Sequence, residues 1–180
     1  MRIWLLAVSL WCASTVMDVH AAGKGEETIY IGTHGAAGGP QGASQAGLKQ
    51  GVYVSRLDVK TGRLSPASLA VELQRSTWLA VHPTLPIIYS VAQGVGGKDS
   101  DSDIYSFRID ESSGSLRLQS KAGAGGHDAT FMDVDAKTNS LLVANYGSGS
   151  VTVLPLKDDG SLGTVTATQE DQGSGPHRRQ

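Results

Sequence analysis

Three segments of this 180-residue chain repeat one pattern, and a repeat of this length narrows the possible folds more than any composition does. Gly51-Val52-Tyr53-Val54-Ser55-Arg56-Leu57-Asp58 runs into Lys60-Thr61-Gly62-Arg63-Leu64. Asp103 to Asp110 runs into Ser112-Ser113-Gly114-Ser115-Leu116, and Ser150 to Leu156 into Asp158-Asp159-Gly160-Ser161-Leu162. The turn glycines 62, 114 and 160 stand 52 and then 46 residues apart, which suits a four-stranded propeller blade and is too long for a leucine-rich repeat. Within each unit apolar residues alternate, as in Tyr105, Phe107 and Ile109, and a Thr-Gly, Ser-Gly or Asp-Gly pair supplies the positive φ that reverses the chain. Pro155 stands in the place of Arg56 and Arg108 and removes a ladder donor, so a bulge or an open edge is expected there.

A second pair of repeats lies upstream of these. Trp78-Leu79-Ala80-Val81-His82-Pro83 leads to Ile87-Ile88-Tyr89-Ser90-Val91-Ala92, and Phe131 to Ala136 leads to Leu141-Leu142-Val143-Ala144-Asn145. Both read as strand, tight turn, strand, and nothing downstream of the N-terminal stretch has helical periodicity. With the strands of a blade lettered A to D from the axis outward, these are A and B, and the first pattern is C and D. Thr28 to Thr33 reads as a B strand with no A strand before it. The expected fold is therefore all-β: a β-propeller of four-stranded antiparallel blades, with about three blades present. Three blades cannot close a ring, because radial repetition needs roughly four to eight.

The N-terminus reads as an export signal. Met1-Arg2 is positive, Ile3 to Val16 is nearly all apolar, and Val19-His20-Ala21 has the small-residue spacing of a cleavage site. The apolar run is shorter than a membrane span needs. The expected organisation is a signal peptide over residues 1–21 and a partial propeller over 22–180, truncated at its C-terminal end. The product is secreted or periplasmic, with no membrane span once the signal is removed; an uncleaved anchor is the alternative. Cys12, the single cysteine, leaves with the signal, which excludes disulfides, cysteine nucleophiles and cysteine-based zinc sites from the mature chain. Fifteen Lys+Arg against 17 Asp+Glu, with no basic stripe, argue against a nucleic-acid partner.

Several strings resemble the seven-bladed β-propeller lactonase family, to which 6-phosphogluconolactonases belong. They are Ile29-Tyr30-Ile31-Gly32-Thr33, the unit from Val52 to Leu64, Leu79-Ala80-Val81-His82-Pro83 with Ile88-Tyr89-Ser90-Val91, and Val143-Ala144-Asn145-Tyr146-Gly147-Ser148-Gly149-Ser150-Val151. The tail Gly173 to Gln180 resembles the stretch that leads into the family's fourth blade. The resemblance implies seven blades in the whole fold, hydrolysis of a sugar lactone without cofactor or metal, and a small-molecule sugar lactone as partner. It leaves the oligomeric state open. One departure stands out: the family commonly carries a Pro-x-His step into the third blade, where this chain reads Ala129-Thr130-Phe131.

A lactonase needs a general base for water, donors for the oxyanion and cations for an acid substrate. Propellers present such groups from the loops leading into their A strands. By position, His127 and Asp128 are the catalytic candidates. Asn145, Tyr146, Arg178 and Arg179 are the substrate-binding candidates. Each has a structural alternative: a solvated turn for His127-Asp128, a hairpin cap for Asn145 and a loose terminus for the two arginines. His82, beside Pro83, reads as structural, and His34 lies in a Gly/Ala-rich loop. Asp99, Asp101 and Asp103 alternate as calcium ligands can, but Ile104 stands where the loop needs glycine, so an exposed loop is the better reading. No serine-hydrolase elbow, Walker loop or zincin motif occurs. The competing function is a non-catalytic ligand- or protein-binding propeller of the cell envelope, since propellers host many functions.

Overall fold

The structure, a computed structural model, describes residues 16–19, 25–33, 49–92 and 101–173. Thirteen strands and no helix occur among them. The first sheet contains β1 (Val16–Val19), β2 (Glu26–Gly32), β3 (Gly51–Asp58), β4 (Arg63–Leu64) and β5 (Ser68–Glu72), with β4 and β5 both pairing with β3. The second runs β6 (Ser76–Val81), β7 (Ile87–Ala92), β8 (Asp101–Ile109) and β9 (Leu116–His127). The third runs β10 (Ala129–Asp135), β11 (Ser140–Asn145), β12 (Ser150–Pro155) and β13 (Ala167–Glu170). Every pairing is antiparallel and, apart from β3 with β5, joins strands adjacent in sequence, the up-and-down order of propeller blades.

The turn chemistry matches the repeat. Gly62, Gly114 and Gly160 sit at φ 69°, 76° and 77°. Asp58 and Asp110 close their turns through Oδ1, which accepts from the N–H groups two and three residues on, at 2.8 to 3.1 Å. The Ser112 hydroxyl, with the Ser113 and Ser112 N–H groups, holds the Asp110 carboxyl down to about 2. Pro155 falls on the last residue of β12, where a missing N–H interrupts little.

One expectation is corrected. The first sheet does not lack its inner strand: Val16–Val19 pairs with β2, from Val16↔Ile31 to Val19↔Thr28. An extended backbone arriving at the bare inner edge of β2 satisfies donors and acceptors that would otherwise stay open. In the full chain Val16–Val19, which the leader reading includes, takes the A-strand place.

Alternation puts one face of each blade against the next. Tyr30 of β2 donates its hydroxyl to the Gly114 carbonyl at 2.8 Å, and Tyr89, its repeat counterpart on β7, donates to the Gly160 carbonyl at the same distance. Burial pushes both phenols well above the usual tyrosine range, so they stay neutral donors. Trp78 donates Nε1–H to the Met132 carbonyl at 2.9 Å and packs against Phe131 at a tilt of 51°, 4.7 Å between ring centroids. Leu79, Ile87, Ile88, Ile104, Met132, Leu141 and Leu154 are fully enclosed between these sheets.

His82 lies at the other end of the blades from the β11–β12 hairpin, in the β6–β7 turn. Its Nδ1 accepts from the N–H groups of Thr84 (3.2 Å) and Leu85 (3.1 Å). Burial lowers its pKa, and a hydrogen bond with Asn139 pulls weakly the other way. The unfolded chain therefore binds the proton more readily than the folded one, so this contribution to stability is complete above about pH 6.5 and is lost as pH falls below that. Denaturant titrations at stepped pH should show that decline in the wild type and a flatter profile in His82→Asn.

Candidate functional site

In an up-and-down blade the B–C loops and the connections into the next A strand lie at one end. Two such connections are described, and they are built alike. Arg75 precedes β6 at φ 52°, and Asp128 precedes β10 at φ 51°. In both strands the register slips just after the first residue, between Ser76 and Trp78 and between Ala129 and Phe131. A left-handed residue followed by a bulge turns the chain sharply inward and re-aims the residues around it.

Each corner is pinned by neighbouring backbone. The Arg75 N–H donates to Gln50 Oε1 at 3.1 Å. At the third blade the carbonyls of Asp128 and His127 accept from the N–H groups of Tyr146 (3.1 Å) and Gly147 (3.0 Å), and the His127 N–H donates to Ser148 Oγ at 3.2 Å. From the second blade, the Ser102 hydroxyl accepts the Ala129 N–H at 2.9 Å, and Thr77 Oγ1 donates to the Ala129 carbonyl at 3.4 Å. Such a corner is over-determined, as a non-glycine residue in this conformation requires.

His127 and Asp128 therefore sit together at the lead-in to the third blade's inner strand, where the sequence reading put them. Across β8–β9, His127 Nδ1 lies 3.2 Å from Asp101 Oδ1, at ion-pair distance but out of line for a hydrogen bond. Both side chains reach solvent. Next to them on β8, Asp103 pairs with Lys121 at 2.8 Å, and Lys121 stands 5.3 Å from the Tyr105 ring centre. Among the described residues no group of three acidic, histidine or cysteine side chains could hold a metal ion.

The other candidates separate. Asn145 is 1% exposed, and its amide donates to Ser150 Oγ and Thr152 Oγ1 within the β11–β12 hairpin. Gly126 approaches it so closely that an added Cβ would stand 2.6 Å from the Asn145 amide carbon. Tyr146 is exposed and lines an open groove of about 490 Å³ with Thr130, Gln169, Glu170 and Asp171. Arg178 and Arg179 lie outside the described residues, as do His34 and Asp99. Sequence reasoning passed over Asp101 as a partner for His127, and passed over Arg75. The signal for Arg75 was present: Arg75-Ser76-Thr77-Trp78 aligns with Asp128-Ala129-Thr130-Phe131, with the same threonine and an aromatic residue in the same places.

Residues 28–180 match the family described as Lactonase, 7-bladed beta-propeller. The chain belongs to that family. It is 32% identical over 153 residues to the 6-phosphogluconolactonase of Bacillus subtilis strain 168, covering 84% of this chain and 39% of that protein. A 6-phosphogluconolactonase of Formosa agariphila is 24% identical over 69% of this chain and 35% of its own length. Among solved structures, the Pseudomonas aeruginosa periplasmic gluconolactonase PpgL superposes with a TM-score of 0.71 at 27% identity, over 86% of this chain and 41% of that one. The chain thus spans about two fifths of the length of relatives it matches.

Proposed function

We propose that this lactonase-family chain contributes to hydrolysis of a sugar lactone to its sugar acid. The observation that carries the reading is the family match over residues 28–180, joined to relatives named for 6-phosphogluconolactone and gluconolactone chemistry. The groups at the β9–β10 corner suit the reaction. His127, oriented by Asp101, takes the proton of the attacking water, and Asp128 holds that water or a sugar hydroxyl. Arg75 supplies the cation at the equivalent corner of the second blade, for the developing oxyanion or an acid group on the substrate. Arg178, Arg179 and Tyr146 complete the substrate contacts in this reading. No metal or cofactor takes part.

The reading extends to location. Residues 1–21 act as an export signal whose removal also takes the Val16–Val19 strand from the edge of β2, residues 22–180 form the partial propeller, and the product is periplasmic or secreted, in keeping with the location in the name of PpgL. An exported enzyme meets an unphosphorylated lactone more readily than a cytoplasmic phosphosugar. The test is base uptake in a pH-stat with glucono-δ-lactone and 6-phosphogluconolactone, against the spontaneous rate. Faster hydrolysis of the unphosphorylated lactone is expected. Binding of the lactone with no acceleration would instead favour the non-catalytic binding propeller.

A further inference from the structure

His127 faces Asp101 only because β9 is irregular there. Asp103 pairs with Gly123, so a regular antiparallel ladder would set Gly125 opposite Asp101. The observed partner of Asp101 is His127. One residue, Ser102, separates the two pairs on β8, and three, Ala124, Gly125 and Gly126, separate them on β9. The excess is a bulge, with Gly125 at φ 77°, and it moves His127 into the place opposite Asp101.

That bulge rests on a row of polar side chains from the third blade. Thr152 Oγ1 donates to the Ala124 carbonyl at one end, and Ser148 Oγ accepts the His127 N–H at 3.2 Å at the other. The hydroxyls of Ser148 and Ser150 share a hydrogen bond of 2.8 Å. Asn145 joins the two halves, since its amide donates to Thr152 Oγ1 at 3.3 Å and to Ser150 Oγ at 3.4 Å. Thr152 thus accepts from Asn145 and keeps its own proton for Ala124. Gly126 lies against the same amide: an added Cβ would stand 2.6 Å from its Cγ and 2.7 Å from its Nδ2. Ser76 of β6 pairs with Ala92 where Ala129 of β10 pairs with Asn145, so the second blade's corner has no such amide.

Among the described residues Asn145 Oδ1 is enclosed and accepts no hydrogen bond. A buried acceptor without a donor costs stability, so packing alone does not account for an asparagine here. We infer that Asn145 is a positioning residue: through Thr152, Ser150 and Ser148 it fixes the β9 bulge and so holds His127 against Asp101. Its effect on turnover rests on the proposed role of His127 as base. Its effect on the geometry of His127 does not.

Asn145→Leu in the full chain keeps the shape of the side chain and removes its donors. The unfolding midpoint should hold or rise, because the unpaired oxygen goes with the amide. Turnover of glucono-δ-lactone should fall about tenfold with KM little changed, and the same substitution should cost nothing further in His127→Ala. The deciding measurement needs no turnover: it is the NMR shifts of the His127 ring carbons at fixed pH. Asp101→Asn should move them in the wild-type chain and leave them nearly still in Asn145→Leu, where the ring has left the carboxylate. Equal movement in both backgrounds would overturn the inference, whatever the change in stability, and so would no movement in the wild type. If Asn145→Leu does not fold, Ser148→Ala cuts the same row at its other end, and the same comparison decides. A wild-type chain that leaves lactone hydrolysis at its spontaneous rate would defeat the lactonase reading alone, since the ring shifts still report the geometry.

Discussion

Replacing His127 with alanine is expected to lower kcat for a sugar lactone by about 10²- to 10⁴-fold, the usual worth of a positioned general base. KM should change little, because the imidazole acts on water and not on the bound ring. Its side chain is half-exposed and its backbone is held by Ser148 and Gly147, so the substitution should leave the unfolding midpoint in place. Asp101→Asn should lower kcat by only about tenfold, since in the proposed reading its carboxylate acts on the imidazole through charge at 3.2 Å and not on the substrate. Steady-state kinetics on the two variants separate the roles. Unchanged turnover in His127→Ala would remove this histidine from the chemistry and shift the role of base to Asp128.

A second large effect concerns stability. Gly160→Ala should lower the free energy of unfolding by about 2–4 kcal/mol, combining left-handed strain with overpacking. Gly160 sits at φ 77°, and its added Cβ would stand 2.4 Å from Ile87 Cδ1 and 3.2 Å from Leu85 Cδ1. Ile87 is fully enclosed, and the same turn offers the carbonyl that Tyr89 uses, so neither side yields without loosening the contact between blades. Gly62→Ala is the internal control. It has φ 69° in the corresponding turn of the first blade but nothing within 4 Å of the added Cβ, so about 1 kcal/mol of backbone strain is expected. Urea titrations of the two variants should differ accordingly. Equal losses would mean that the Gly160 turn is not locked against the second blade.

The strands and the C–D turns were legible because their causes are local. Tyr105, Phe107 and Ile109 alternate in sequence, and they alternate in the sheet. Gly62, Gly114 and Gly160 sit where a positive φ is needed, and all three adopt it. The corner at Asp128 was placed from strand order alone. Its left-handed backbone was not read, because that conformation is held by Ser102 and Thr77 from another blade and by the Tyr146–Ser148 hairpin. Asn145 shows the opposite difficulty. Its polar side chain beside Tyr146 allowed both a ligand contact and a hairpin cap, and in the sheet it is enclosed with its amide directed to Ser150 and Thr152 of the hairpin. Val16–Val19 is a third case: the segment lies within the leader reading, and its pairing in the full chain depends on an open edge of β2 that lies outside the segment itself.

The sequence by itself determined an all-β repeat, its blade length and the positions of its turns. Each of these follows from periodicity or from the conformational range of single residues. Only the tertiary structure decided which face of each blade is covered, that Arg75 and Asp128 occupy equivalent corners, and that His127 meets Asp101. Those outcomes depend on contacts between residues far apart in the chain. Their energy comes from excluding water between sheets, and no short window of sequence contains both partners.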